Sequence, residues 1–207
     1  MPLAREGGTG FTPVKQGTHI ARCFAVIDMG TQKPGNPTYA PTRKVMIGFE
    51  FPNEQVTRDG NKQPMVLWKE YSLSLSQKAN LRQHLEAWRG RVFSPEELRG
   101  FDVAKILGAP AMITVIHKQT STGNTRADIA SIIKPPKDYP VPGPITPALH
   151  FDIEMGNGPQ FKALPEWITK KIVDSPEWQA MAQGHEEVEE EPSDATTPEG
   201  ESEEMPF

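Results

Sequence analysis

The sequence has little cysteine and no long apolar segment. A single cysteine, Cys23, stands among its 207 residues, so one chain can form neither an internal disulfide nor a cysteine-rich zinc site. No apolar run approaches the roughly 20 residues that a membrane-spanning helix needs, and residues 1–8 lack the apolar core of a signal peptide. These absences predict a soluble, cytoplasmic protein with no membrane partner.

Residues in patterns typical of catalysis are also scarce. The five histidines are scattered along the chain without metal-ligand spacing. The glycine-rich residues 7–10 are not followed by the Gly-Lys-Ser/Thr that a phosphate-binding loop requires. Cys23 lies in an apolar run, where a buried structural thiol is expected. We therefore predict that the protein is not an enzyme and that it has no cofactor and no metal site.

The net charge of −5 conceals two oppositely charged regions. Residues 185–207 contain ten Asp and Glu and no Lys or Arg, which leaves 17 acidic against 22 basic residues in the rest of the chain. This division is typical of a folded body with a disordered tail, although an acidic tail can also serve solubility alone. We predict a flexible arm at 1–16, a folded domain at 17–138, a proline-rich and helical extension at 139–184 and a disordered acidic tail at 185–207.

Alternation of apolar side chains predicts five strands. They are expected at residues 18–28, 43–51, 65–75, 109–117 and 125–133. Three strands, a helical excursion and a two-strand hairpin follow the order of an OB-fold, which is a five-stranded Greek-key barrel. We therefore predict a mainly β protein in which residues 17–138 form an OB-type barrel with a helical insertion between strands 3 and 4.

Helical signals occur in that insertion and in the extension. Leu81, Leu85 and Trp88 form the apolar stripe of a helix that should end at Gly90. The segment Ser94-Pro95-Glu96-Glu97 is a capping box, and the helix it begins is expected to run through position 107. Two further helical pieces, started by prolines, are expected near positions 165 and 176.

Basic and aromatic residues interleave along the predicted strands. Single-stranded nucleic acids bind in basic grooves that follow the phosphates, with aromatic rings on which bases stack. OB-folds place this groove on central strands and on the loops that join strands 1–2 and 4–5. Because Trp68 and Tyr71 fall on opposite faces of one strand, one of them, together with Phe24, is expected in the core. The predicted ssDNA-binding residues are Arg22, Lys33, Tyr39, Arg43, Lys44, Trp68, Lys69, Tyr71, Lys118 and Arg126.

Two parts of the chain resemble known ssDNA-binding proteins. The segment Glu203-Glu204-Met205-Pro206-Phe207 resembles the C-terminal tip of the bacterial proteins, which reads Asp-Asp-Ile-Pro-Phe. Residues 71–107, which include Trp88-Arg89-Gly90-Arg91, look like phage-encoded OB-fold ssDNA-binding proteins. The resemblance implies a protein that binds and protects ssDNA, largely without sequence specificity, during phage DNA replication and recombination in the host cytoplasm.

The same resemblance gives the acidic tail a role. It implies that Glu203, Glu204, Met205, Pro206 and Phe207 recruit replication and recombination proteins, with the ring as an anchor and the acidic residues as long-range attraction. Because the tail carboxylates imitate a polyanion, we also expect the tail to compete with DNA for the basic groove. The resemblance predicts no particular oligomeric state.

Three other functions remain compatible with the sequence. An RNA-binding OB module would use the same groove chemistry and would differ in how it recognises the 2′-hydroxyl. A β-barrel adaptor or virion component would bind only protein, and it would show no salt-dependent binding of oligonucleotides. A nuclease is the most distant alternative, because the sequence has no evident carboxylate cluster for catalytic metals.

Overall fold

The computed structural model describes residues 12–58, 60–120 and 123–189, with the backbone alone for 183–189. The strands are β1 (Gly17–Gln32), β2 (Thr42–Arg58), β3 (Asn61–Ser72), β4 (Pro110–Gln119), β5 (Thr125–Ile133) and β6 (Leu149–Phe151). The helices are α1 (Asn80–Arg89), α2 (Pro95–Arg99), α3 (Pro159–Lys162), α4 (Glu166–Val173) and α5 (Pro176–Glu189), and 3-10 turns lie at Val103–Ile106 and Ile153–Met155. Within this described part, no helix has the length and apolar character needed to cross a membrane.

The first five strands form a curled antiparallel half-barrel. Their order is β3-β2-β1-β4-β5, and the short β6 pairs in parallel with β1. The two outer strands approach each other, since Lys69 Nζ on β3 lies 2.6 Å from Asp128 Oδ1 on β5. The predicted mainly β fold with five principal strands is confirmed, and β5 has the predicted bounds.

One side of the sheet faces the larger of two hydrophobic cores, here called the inner core. Alternate residues of β2, from Val45 to Phe51, are buried there, as the two-residue period predicts. The apolar stripe of α1 packs into the same core. This helix ends at Gly90, whose φ of 69° is the left-handed conformation that glycine adopts without strain.

The opposite side of the sheet carries a second core, here called the outer core, which had not been predicted. β1 is buried on both faces and contributes to both cores, and two bulges in its register with β2 change which of its residues face which core. As a result Cys23 belongs to the inner core and Ile27 to the outer core. Phe151 of β6 and the buried stripe of α4, Ile168 and Ile172, complete the outer core. The extension is therefore packed into the same structure as the barrel.

A buried carboxylate holds the proline-rich residues 140–147, here called the proline segment, to the sheet. Glu50 of β2 is fully buried. Its carboxylate accepts hydrogen bonds from the backbone N–H groups of Ile145 and Thr146, at 3.0 and 2.6 Å. These bonds satisfy a charged group that would be costly to bury alone, so the proline segment has a defined place although it lacks a strand ladder.

The N-terminal arm predicted at 1–16 is wrong in its last part. Val14 is 2% exposed and lies in the inner core. Its carbonyl oxygen lies 2.8 Å from Nε2 of His117 on β4. Residues 12–16 therefore pack against the barrel, because the buried Val14 and the hydrogen bonds of Val14 and Gln16 with His117 anchor them. Residues 1–11 lie outside the described part of the chain.

The helices differ from the prediction in their bounds. The capping box at Ser94 is confirmed, but α2 ends at Arg99 rather than near position 107, because an extended Gly100 follows and Asp102 caps a separate 3-10 turn. The helices expected near positions 165 and 176 are α4 and α5. α5 continues to Glu189, so the first residues of the tail predicted at 185–207 are helical. Residues 190–207 lie outside the described residues.

Candidate nucleic-acid interface

Three predicted binding residues meet in one cleft between β3, β5 and α4. Trp68 and Lys69 of β3 and Arg126 of β5 line a cavity of about 550 Å³. α4 adds Trp167 and Lys171, which the sequence had not singled out. We call this cavity, defined by these five residues, the tryptophan cleft. Its walls come from both the barrel and the extension, so it exists only because the outer core joins them.

Trp68 forms a wall of the cleft on the outer face of β3. Its ring makes edge-to-face contacts with Phe24 and Trp167, with centroid separations of 5.1 and 5.9 Å. Gly48 of β2 is its register partner, and a Cβ atom at that position would lie 2.8 Å from the Trp68 ring. The indole occupies space that only glycine leaves free, so Gly48 determines where this wall stands.

Trp167 supplies the exposed aromatic surface of the cleft. α4 buries Ile168 and Ile172 in the outer core, which leaves the preceding Trp167 45% exposed. Lys171 lies one turn later and donates to Glu70 at 2.8 Å. An indole exposed beside cations is suited to stacking on a base. The available sequence signal was a tryptophan that lies off the apolar stripe of its own helix.

Most cations around the cleft are paired with carboxylates. Asp128 of β5 accepts hydrogen bonds from Nζ of Lys69 and of Lys118, each at 2.6 Å. Burial opposes ionisation of Asp128, but the bonds from Lys118 and Lys69 outweigh it and hold the pKa of the carboxyl below its usual range. Arg126 is exposed, and no carboxylate of the described residues lies within 4.0 Å of it. Arg126 is therefore the cleft cation most available to a phosphate.

The prediction that Tyr71 belongs to the binding surface is corrected. Tyr71 is 3% exposed and lies in the inner core. Its hydroxyl lies 2.8 Å from Nδ1 of His84, and burial raises the pKa of the phenol. As expected, Trp68 and Tyr71 are on opposite faces of β3, and the tyrosine is the one that faces the core. Its ring cannot stack on a base in this fold.

Three other predicted cations make contacts within the fold. Arg43 forms an ion pair with Asp28 at 2.5 Å. Lys44 donates to the hydroxyl of Ser72 at 2.8 Å, and Arg22 donates to a carbonyl oxygen of the proline segment at 2.8 Å. Each of these contacts ties a strand to a neighbour. They place the three side chains outside the lining of the tryptophan cleft, as the described residues define it.

The remaining predicted residues lie around the cleft or away from it. Lys33 and Tyr39 are exposed on the loop between β1 and β2, where Tyr39 is 68% exposed. Lys118 is near the cleft through its bond to Asp128. The tail positions Glu203, Glu204, Met205, Pro206 and Phe207 lie outside the described residues.

Reactive groups are few in the described structure. Burial raises the pKa of the Cys23 thiol to about 12, which keeps it protonated and unreactive near neutral pH. Within residues 12–58, 60–120 and 123–189, no three His, Cys, Asp or Glu side chains are grouped as for a metal ion.

Comparison with known proteins identifies no family. Neither a protein-family model nor a curated protein sequence matches this chain. The fold and the tryptophan cleft are therefore the basis for proposing a function.

Proposed function

We propose that this protein binds single-stranded DNA in the tryptophan cleft, largely without sequence specificity and without enzymatic activity. The observation that carries the proposal is the convergence of Trp68 and Trp167 with Lys69, Arg126 and Lys171. Rings that stack on bases and cations that contact phosphates are the two components of sequence-independent ssDNA binding. Stacking and phosphate contacts do not depend on which base is bound, so every base could use this arrangement.

The half-barrel supports the proposal, and we infer that it is of OB type. Three antiparallel strands, a helical insertion and the β4–β5 hairpin follow the OB order, and the outer strands β3 and β5 approach each other at Lys69 and Asp128. OB-folds bind oligonucleotides on strands 2–3 and on the loops that join strands 1–2 and 4–5. The cleft uses β3 and β5, and Lys33 and Tyr39 on the β1–β2 loop would extend the path of the bound strand.

We also propose a role in DNA replication and recombination, in which the bound strand is protected while partner proteins are recruited. Partner binding would use Glu203, Glu204, Met205, Pro206 and Phe207. An aromatic anchor beside several carboxylates combines tight local contact with long-range attraction to a basic pocket. In a pull-down from infected-cell extract, Phe207→Ala should lose partners that the full-length protein retains. Equal recovery by both proteins would contradict recruitment through this segment.

The first experiment is a titration of the full-length protein with a labelled dT oligomer, a matched RNA oligomer and a duplex, at two salt concentrations. We expect preference for the dT oligomer, with log K falling by about 0.7 per phosphate contact for each tenfold rise in salt. Preference for the RNA oligomer would favour the RNA-binding alternative. Failure of all three to bind in a salt-dependent way would contradict the proposal and favour a protein-binding adaptor.

Variants of Trp167 test whether the cleft is the site. Trp167→Leu removes the exposed ring and should weaken binding by about 1–3 kcal/mol, or about 5- to 150-fold. Trp167→Tyr keeps a ring that can stack and should bind nearly as well as the wild type. Equal affinity of all three proteins would place base stacking elsewhere.

Variants of Arg126 test the phosphate contact. Arg126→Gln should reduce the slope of log K against log salt by about 0.7. Arg99, an exposed arginine of α2, is not among the described residues that line the cleft. Arg99→Gln should therefore leave the slope unchanged. Equal effects of the two substitutions would show that total charge, rather than a contact in the cleft, sets the affinity.

A further inference from the structure

A second cavity, here called the basic cavity, lies beside α1. It measures about 750 Å³ and is bounded by α1, the 3-10 turn Val103–Ile106 and residues 134–141. Its apolar lining includes Trp88, Phe101, Ile106 and Val141. Among the described residues, it has no lining residue in common with the tryptophan cleft. It is therefore a separate site, large enough for several side chains.

Positive charge dominates the lining of the basic cavity. One carboxylate, Glu97, faces five cations there, which are Arg89, Arg91, Lys105, Lys134 and Lys137. Hydrogen bonds from Arg91, from the Ser94 backbone and from Arg89 lower the pKa of Glu97 to about 2. In the described part of the chain, the three lysines have no carboxylate within 4.0 Å. The cavity therefore keeps an uncompensated positive charge.

Arg89 is fixed in place and lacks one acceptor. Its guanidinium carbon lies 4.4 Å from the ring centroid of Phe93 and 5.0 Å from that of Phe101. Its Nη2 is bonded to Glu97. Its Nη1 is buried and has no hydrogen-bond partner in the residues that the structure describes. A buried donor without an acceptor is costly, and this arginine lines a cavity whose three lysines also lack a carboxylate partner among the described residues.

We propose that residues 199–207 of the same chain occupy the basic cavity. This segment contains Glu199, Glu201, Glu203 and Glu204, followed by the apolar side chains of Met205, Pro206 and Phe207. Carboxylates beside an aromatic ring match a cavity that has cations around an apolar wall. From the end of α5, a chain can span at most about 50 Å to position 203, which exceeds the roughly 40 Å diameter expected for a compact body of this size.

The charges distinguish this cavity from the tryptophan cleft as a site for the segment. In the cleft, Lys69 is paired with Asp128 and Lys171 with Glu70. A carboxylate in the cleft would find Arg126 free among the described residues but would have to displace these pairs to reach the two lysines, whereas the three lysines of the basic cavity need no such exchange. Docking in the basic cavity would place the segment outside the tryptophan cleft, and the sequence-based expectation of direct competition with DNA stays a separate prediction. This inference does not depend on whether the cleft binds DNA.

Disulfide trapping in the full-length chain tests the docking. Ser202→Cys is combined with Lys137→Cys at the cavity or, as a matched control, with Lys62→Cys, an exposed lysine of β3. The native Cys23 is buried and stays unreactive. Under mild oxidation by glutathione disulfide, the 202–137 bond should form within one chain at least about tenfold faster than the 202–62 bond, because docking raises the local concentration. Adding Phe207→Ala, or raising the salt, should remove most of this advantage.

The results of these experiments distinguish residues 199–207 from a second copy of the chain and from nucleic acid as the occupant of the basic cavity. Equal rates for the two pairs, or a rate indifferent to Phe207→Ala, would overturn the proposal. Disulfide-linked dimers as the main product would assign the cavity to a second copy and would overturn docking within the chain. The full-length Lys134→Glu/Lys137→Glu variant should bind the dT oligomer as the wild type does. A tenfold loss of oligomer affinity in this variant would assign the cavity to nucleic acid and would also overturn the proposal.

Discussion

The inner and outer cores of this protein are built from different kinds of sequence. The inner core consists mainly of alternate residues along strands and of one helical stripe, each of which repeats long enough to show its period. The outer core consists of β1 residues displaced by its bulges, a three-residue strand and short helices. β1 is buried on both faces and so belongs to both. A strand of this kind makes one cooperative unit out of two cores of different origin.

Cavities in the two cores give the largest expected effects. Phe49→Ala in the inner core should lower the free energy of unfolding by about 3–5 kcal/mol, and Ile168→Ala in the outer core by about 2–5 kcal/mol. Because β1 is shared, both variants should unfold in one transition. Urea unfolding followed by circular dichroism and by tryptophan fluorescence measures this, and the midpoints should coincide.

A surface substitution in α4 is the control for the outer-core variant. Lys170→Ala replaces an exposed residue of the same helix and should change stability by no more than about 0.5 kcal/mol. A two-step transition in Ile168→Ala would show that the outer core unfolds separately, and the two cores would then be independent units.

The difference between the cores also explains what the sequence could predict. Along β2, four apolar residues at every second position identify one buried face. In the extension, β6 and α3 are too short to repeat any pattern, and prolines interrupt the rest. Their place depends on tertiary contacts such as the bonds from the proline segment to Glu50. Periodicity therefore predicted the inner core and missed the outer one.

The residues of the tryptophan cleft also differ in whether the sequence could predict them. Trp68, Lys69 and Arg126 lie on predicted strands along which basic and aromatic residues interleave, and that pattern predicted them. Trp167 and Lys171 reach the cleft only because α4 packs on the outer core, which no local pattern indicates. Tyr71 was misassigned because alternation places it opposite Trp68 without telling which of the two side chains enters the inner core.

Adding a methyl group at Gly48, the register partner of Trp68, should give the next largest loss of stability. In Gly48→Ala, the new Cβ would lie 2.8 Å from the Trp68 ring and 2.9 Å from the Phe24 ring. Overpacking of this kind should cost about 1–3 kcal/mol and should also weaken oligonucleotide binding, because it displaces a wall of the cleft. Thermal unfolding and dT titration measure the two effects.

The control for this substitution is another glycine. Gly35 lies in the β1–β2 loop, and nothing in the described structure lies within 4 Å of a Cβ added there. Gly35→Ala should leave stability and binding nearly unchanged. If Gly48→Ala behaves in the same way, the position of Trp68 does not depend on the space at Gly48.

A smaller effect concerns the carboxylate that joins the outer strands. Asp128→Asn should cost about 1 kcal/mol at neutral pH, because the amide keeps one acceptor but loses the charge. It should also strengthen dT binding, since Lys69 and Lys118 lose their counter-charge. Asp138→Asn, a change at an exposed residue, is the control. Unchanged affinity in Asp128→Asn would mean that these lysines do not contact phosphate.

The same carboxylate gives the fold a dependence on acid. Because the pKa of Asp128 is lower in the folded state, the ionised group stabilises the fold above its unfolded pKa of about 3.9. That stabilisation is lost as the pH falls through the lower, folded-state pKa. Stability measured below pH 4 should therefore fall less steeply in Asp128→Asn than in the wild type.

The smallest expected effect lies on the inner side, at His84. Burial, assisted by the charge of Lys69, lowers the pKa of this imidazole. The neutral ring contributes stability above its unfolded pKa of about 6.5, and this contribution is lost as the pH falls through the folded-state pKa. As the pH is lowered from about 7.5 to about 5.5, the urea concentration at the unfolding midpoint should fall in the wild type and in Asp128→Asn. It should not fall in His84→Gln. A parallel fall in all three would assign the titration to another group.

The hydrogen bonds of Glu50 restrict which substitutions positions 145 and 146 can accept. Within residues 140–147, prolines stand at 140, 142, 144 and 147, and a proline has no N–H to donate. The two donors that Glu50 uses belong to the consecutive non-proline residues Ile145 and Thr146. Their side chains are not what Glu50 binds, so many replacements at these positions would keep the bonds and only proline would abolish a donor. Positions 145 and 146 can thus accept many different amino acids, and proline is the one that would break a hydrogen bond to Glu50.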